Sequence, residues 1–329
     1  MLYSVTGPGP RLQWFAAIFI FGISFSSFSL AFATDTITES DTTEIATNPS
    51  SPLAGSFSDT NLQRCIDRIA AANGWTQADQ ITGRVDCKKH SISKLDGIEA
   101  LSNVTSLDIS INYISAIGPL AKLQKLEVLK LSFNTVADLR PLASLNQLTI
   151  LNFANNMVTD ITPLANLHQL KNLSLQNNLI TDIRSLQGLT ALENLNLAVN
   201  SVDNISALVH LEKLKFLSLL NNDVTDIAGL EKLTNLQGLN LRGNKIKNIE
   251  NVTNLLKLSN LNLSDNGIEP GHVDSVTALG TLPQLQHVNL SGNLQISCVA
   301  LSNLIAEFSS ANKIVVPATA QHGITCSRR

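Results

Sequence analysis

Leucine, isoleucine and valine fall in registered columns along most of this chain, and an asparagine interrupts them at a fixed place. Asn112, Asn134, Asn156, Asn178, Asn200, Asn222, Asn244 and Asn266 stand 22 residues apart, and Asn293 follows after 27. Two residues after each of the first eight comes isoleucine or valine, from Ile114 to Ile268. Five residues after come Ile117, Leu139, Ile161, Ile183, Ile205, Ile227 and Ile249. Leucine then returns at Leu186, Leu189, Leu192, Leu195 and Leu197 after Asn178, and at equivalent places elsewhere, with Val252 and Phe153 as conservative replacements. A period of two operates only over the final Leu-x-Leu, which predicts a short strand. Elsewhere the spacing is a steady three, not the alternating three and four of an α-helix. Each repeat therefore predicts a strand, a sharp turn and an extended or 3-10 return, with all apolar positions facing one interior.

An amide inside that interior has a physical reason. A chain that turns inward after its strand leaves backbone N–H and C=O groups buried, at about 1–3 kcal/mol for each one unpaired. An asparagine side chain offers both donors and an acceptor to its own and neighbouring coils. The nine asparagines are thus read as a structural ladder. Asp138, Asp160, Asp182 and Asp226, with Asn204 and Asn248 in the same column, are read as caps of a short turn.

The motif L-x-x-L-x-L-x-x-N followed by N-x-I-x-D-I-x-P-L, with Pro119, Pro141 and Pro163, resembles the 22-residue leucine-rich repeats of bacterial internalins over about residues 85–295. The resemblance implies an α/β repeat solenoid: a right-handed leucine-rich-repeat horseshoe with a parallel concave β-sheet, a 3-10 or extended convex side, and helical caps. It also implies a protein-binding role, with adhesion or host interaction among the family's uses, although the family's usual wall anchor is missing.

A solenoid exposes two core ends, and both need covering. Residues 59–84 predict an N-terminal cap, opened by an amphipathic helix with Asp59 or Ser58 at its start and Leu62, Ile66 and Ile69 as its buried stripe. A degenerate first repeat follows, with His90 standing 22 before Asn112 and Cys87 in the inward place of Ile109. Residues 296–329 predict a C-terminal cap, with a second helix over "CVALSNLIAEFSS" and a final strand over "KIVVPA". About nine strands at roughly 4.8 Å separate the ends by some 40 Å, beyond any disulfide. The four cysteines are accordingly expected to pair as Cys65–Cys87 and Cys298–Cys326, free buried thiols being the alternative.

Composition adds the context. The net charge is −3 and evenly spread, so no basic face suited to nucleic acid is present. In residues 1–33 Arg11 is the only charge, and an apolar run ends in Ala31-Phe32-Ala33, which reads as a cleaved secretory signal peptide. The serines within the run argue against an uncleaved anchor. Its removal leaves 22 basic against 26 acidic residues, a net −4. Residues 34–58 are rich in Thr and Ser and read as a disordered spacer. No later segment is apolar enough to span a membrane, so the protein is expected to be exported, to the periplasm or beyond the cell.

Candidate chemistry is sparse. No phosphate-binding, nucleophile-elbow or zinc-protease motif is present, and neither catalytic residues, a cofactor nor a metal is expected. His272, Asp274 and His287 surround a five-residue insertion after Asn266 but lack a third ligand at a helical or hairpin spacing. The insertion is read as a longer convex helix. His168 and His210 are read as solvent-facing on the convex side. The surface able to act is the concave sheet, whose outward residues lie six, four and two before each ladder asparagine. Most are Asn and Ser, which leaves glycan binding as an alternative, short of aromatic residues for stacking. A structural scaffold is a second alternative. Two apolar islands stand out: Val128, Phe133 and Ile150, then Val199, Phe216 and Leu220. With Lys130 and Arg242 they form the candidate surface for a protein or peptide ligand. The sequons at Asn172 and Asn262 fall on this face and are expected to be unmodified.

Overall fold

The computed structural model describes residues 53, 55–269, 273–310 and 314–316. The chain divides into two units, residues 1–43 and 44–329, and all the described residues belong to the second. The expected leader, residues 34–52 of the expected spacer, and Cys326 lie outside them.

Eleven strands form one parallel sheet in which each pairs with its neighbour in sequence. They are β1 (Thr82–Asp86), β2 (Asn103–Asp108), β3 (Val128–Lys130), β4 (Ile150–Asn152), β5 (Asn172–Ser174), β6 (Asn194–Asn196), β7 (Phe216–Ser218), β8 (Gly238–Asn240), β9 (Asn260–Asn262), β10 (His287–Asn289) and β11 (Ile314–Val316). The register repeats from coil to coil, with Leu129, Leu151, Leu173, Leu195, Leu217, Leu239 and Leu261 directly in line. These leucines are almost entirely buried. Each such side chain stabilises the fold by about 1.5–3 kcal/mol relative to its exposed state.

The return path of most coils is a single 3-10 turn, as at Thr162–Leu164 and Glu250–Val252. Pro119, Pro141 and Pro163 open three of these turns, where a missing N–H costs nothing and a fixed φ helps. The Asp column starts them. Asp138, Asp160, Asp182 and Asp226 each accept the backbone N–H two residues on, and Asn204 and Asn248 do the same at 2.9 Å. Amide and carboxylate are interchangeable here because only an acceptor is required. Arg140 and Arg184 fold back onto Asp138 and Asp182. The hydrogen bond from the Arg184 side chain, followed by that from its backbone, lowers the Asp182 pKa to about 2.

The ladder asparagines saturate the inward turn. Asn178 Nδ2 donates to the carbonyls of Leu175 and Gln176 in its own coil and of Phe153 in the coil before, while Oδ1 accepts from Val158 N. The same four-bond pattern recurs at Asn112, Asn134, Asn156, Asn200, Asn222, Asn244, Asn266 and Asn293. His90 occupies the ladder place in the first, degenerate coil. Its backbone N–H donates to Asn112 Oδ1 and its ring bridges Arg68 and the Lys88 carbonyl.

Helix α1 (Thr60–Asn73) covers the first coil, with Leu62, Cys65 and Ile66 buried and Ile69 partly so. Asp59 is its N-cap and Ser58 is not; Ser58 donates instead to Asp96. A disulfide joins Cys65 in this helix to Cys87, with the Cα atoms 5.8 Å apart. Residues before 59 pack here too: Leu53 and Phe57 are buried, and Gln63 holds both through the Leu53 carbonyl and the Phe57 N–H. Gly97, at φ 99°, admits this segment, since a Cβ there would collide with the Ser56 carbonyl. At the other end the insertion contains helix α2 (Val273–Ala278), followed by helix α3 (Cys298–Ser310). Strand β11, within the expected final strand, pairs with β10.

Candidate functional site

The concave face is built from the outward positions of the strands. Val128 and Ile150 sit directly opposite one another across β3 and β4 and are both half-buried. Phe133 follows β3, three residues past its end, in a left-handed turn. The second island divides in the same way. Phe216 opens β7, opposite Asn194 and Gly238. Leu220 lies beyond the end of β7, and its carbonyl accepts the Val199 N–H at 2.6 Å. Val128 and Ile150 thus pair at the start of their strands, Val199 and Leu220 pair past the ends of β6 and β7, and Phe216 starts the strand that Leu220 follows.

The charged members are tied to neighbours. Lys130 Nζ stands 3.8 Å from Asp108, which is itself buried and accepts the Ser110 N–H. Arg242 is exposed on the rim and donates to Asp265 at 2.8 Å.

Several positions facing outward are nonetheless buried. Asp108, Ser110, Ser174, Ser264 and Ser291 lie at or below 5% exposure because their small side chains sit among larger neighbours. The polar column four before the ladder is also partly committed. The Oδ1 atoms of Asn152, Asn196, Asn240, Asn262 and Asn289 accept the backbone N–H two residues on, closing the ends of their strands. These amides thus serve the fold, and Asn196 Nδ2 also donates to Gln176. One spot differs. Asn194 Nδ2 donates to Asn172 Oδ1, while Asn194 Oδ1 is buried and has no hydrogen-bond partner among the described residues. Phe216 is its neighbour in register.

The residue before each ladder asparagine adopts a left-handed conformation. φ lies between 51° and 79° at Ile111, Phe133, Asn155, Asn177, Val199, Asn221, Gly243, Asp265 and Gly292. Asn, Asp and Gly accept this geometry readily, whereas Ile, Val and Phe pay about 1–2 kcal/mol. Ile111, Phe133 and Val199 are therefore strained places on the rim.

The same turns carry a ridge that the concave columns do not include. Tyr113, Met157 and Leu179 each directly follow a ladder asparagine, and Phe133 directly precedes one. They are 68%, 53%, 48% and 55% exposed respectively. The signal was present in the sequence, because that following position is Ser, Thr, Asp, Lys or Gly in most other coils.

A polar depression of about 350 Å³ is lined by Asp203, Asn204, Ser206, Thr225 and Asp226. Its Asn204 and Asp226 oxygens already accept backbone N–H groups. Among the described residues no group of three or more His, Cys, Asp and Glu side chains could hold a metal ion. His287 is exposed at the start of β10, while His272 and the Asp274 side chain lie outside the described residues. His168 and His210 are exposed on the return turns. No helix among the described residues is long and apolar enough to cross a membrane.

Residues 124–166, 168–210 and 212–254 match the family described as Leucine Rich repeats (2 copies). No curated protein matches the sequence. Among solved structures, the internalin InlF of Listeria monocytogenes is 30% identical, with a TM-score of 0.70 over 77% of this chain and 75% of that one. A second Listeria monocytogenes internalin, of type C2, is also 30% identical, with a TM-score of 0.59 over 65% of this chain and 97% of that one. The plant peptide hormone receptor RGFR1, solved in complex with RGF2, shares the fold at 20% identity and a TM-score of 0.52, over 66% of this chain and 38% of that one.

Proposed function

The chain belongs to the internalin-like leucine-rich-repeat proteins of bacteria, and on that premise we propose that it is an exported, non-enzymatic module that binds a protein or peptide through its concave sheet. One observation carries the reading. Phe216 stands half-buried at an outward strand position between Asn194 and Gly238, the latter having no side chain to cover the ring. Burying an exposed aromatic face of this kind in a partner contributes about 2 kcal/mol or more. Val199 and Leu220 extend the apolar contact, and Arg242 supplies a charge at its edge. Val128, Ile150 and Lys130 form a second contact area towards the N-terminal end. A glycan would find few aromatic rings in the outward columns on which to stack, which favours protein recognition. Adhesion or interaction with a host surface is the role this reading suggests, and Cys298–Cys326 is the pairing proposed for the second cap.

The test is capture with the mature protein immobilised, using culture medium, envelope fractions and host-cell surface proteins as sources. A ligand retained by the wild type should be weakened at least tenfold by Phe216→Ser with Leu220→Ser, while the melting midpoint stays nearly constant because both side chains are already partly solvated. Undiminished capture by the folded double variant would place the site elsewhere.

A further inference from the structure

We propose that the ridge formed by Tyr113, Phe133, Met157 and Leu179 is the contact surface for a second copy of this chain, packed edge to edge about a two-fold axis. The inference is independent of the concave ligand site.

Four consecutive coils, those of Asn112, Asn134, Asn156 and Asn178, each present one large apolar side chain on the turn that follows the strand, about half or more exposed in every case. The strands that carry them are evenly spaced at about 4.8 Å. The residues one before, one after and three after the ladder asparagine carry no charge in any of the four coils. That neutrality has sharp limits. Lys89 occupies the equivalent place in the preceding coil, and every coil from Asn200 to Asn266 has a charged residue there. Asp223 is paired with Lys245, Arg242 with Asp265, and Lys247 with Glu269. Within these four coils Asp138, Asp160 and Asp182 start the return turns, and two of them are already paired to arginines.

This distribution favours a second copy over a partner of different chemistry. In a two-fold contact each surface meets itself, so a charge near the axis faces its own like charge. An apolar surface without charge is self-complementary, and here it spans an even number of coils. An axis between the second and third coils brings Phe133 onto Met157 of the other copy and Tyr113 onto its Leu179, each contact occurring twice. Exposed apolar patches of this kind cover a few hundred Å², below the roughly 800 Å² per partner of a standard interface. The dimer should therefore be weak and dependent on concentration. The left-handed turn at Phe133 fits the same role, because a bulky residue is kept where asparagine would relieve strain.

Sedimentation velocity of the mature chain over a hundredfold range of concentration tests the proposal. The sedimentation coefficient should rise towards that of a dimer as concentration increases. Phe133→Lys alone and Met157→Glu alone should each weaken association at least tenfold. The two together should restore it, since each introduced lysine would then meet an introduced glutamate across the axis, and high salt should abolish the restored association. Thermal melts identify any variant that fails to fold, and Tyr113→Ser gives a milder second probe. A wild type that remains monomeric throughout, or a double variant no better than either single one, would overturn the proposal. Co-sedimentation of the monomeric wild type with phosphatidylcholine vesicles would overturn it too and assign the ridge to a lipid surface.

Discussion

Asn178 accepts the backbone N–H of Val158, twenty residues earlier, at 2.9 Å through its Oδ1. One side chain therefore joins two coils, and three Nδ2 contacts complete the bridge.

Asn178→Ala removes that bridge and leaves buried groups of both coils unpaired. The expected loss is about 1–3 kcal/mol, read as a lower urea midpoint of the mature protein. An unchanged midpoint would contradict the burial of the ladder.

Val199→Asn should act in the opposite direction. Val199 holds φ 57° where its column neighbours Asn177 and Asn221 hold 53° and 51°. Asparagine tolerates this region and valine does not, so the substitution should raise stability by up to about 1 kcal/mol. If Val199 belongs to the ligand surface, the more stable variant should also capture ligand less well. A lower melting midpoint would show that lost packing outweighs the relieved strain.

Cys65→Ser opens the Cys65–Cys87 bond, a closure of 22 residues. The chain-entropy relation assigns about 3 kcal/mol to a loop of this size. The damage should stay at the N-terminal cap, where Trp75 packs against the core. Once residues 1–33 are removed Trp75 is the only tryptophan of the chain, so its fluorescence should melt earlier than the circular dichroism of the sheet. Non-reducing peptide maps of the wild type should contain a Cys65–Cys87 peptide.

Asp59 makes the cap sensitive to acid. Burial raises its pKa, but hydrogen bonds from the Ser93 and Lys94 backbone, from Leu62 and from the Ser93 hydroxyl outweigh this and hold it below 3.8. A carboxylate with a depressed folded pKa stabilises fully above its unfolded value and loses that contribution as pH falls through the folded one. Trp75 fluorescence should thus report a loosening cap only below about pH 4. Asp59→Asn should loosen it already at neutral pH, since an amide would point N–H bonds at the donors converging on Oδ2. A cap equally stable in the Asp59→Asn variant would show that the charge is dispensable.

The sequence alone determined the repeat, its register, the buried face of the repeat strands, the asparagine ladder and the acceptor column of the return turns. These follow from a pattern repeated at constant offset, in which each residue's environment is copied from the coil before. What only the tertiary structure decided concerns relations that differ between coils. Asp59 reaches Ser93 and Lys94 across 34 and 35 residues, and Leu53 and Phe57 join the cap through Gln63; no period announces either contact. The separation of Phe133 from Val128 depends on where β3 ends, and the burial of Asp108 or Ser174 depends on the bulk of the side chains beside it. The left-handed turns at Ile111, Phe133 and Val199 are imposed by the ladder bonds that follow them, against the preference of the residues themselves. A periodic sequence specifies what every coil shares, whereas the surface available to a partner is set by how unlike coils sit side by side.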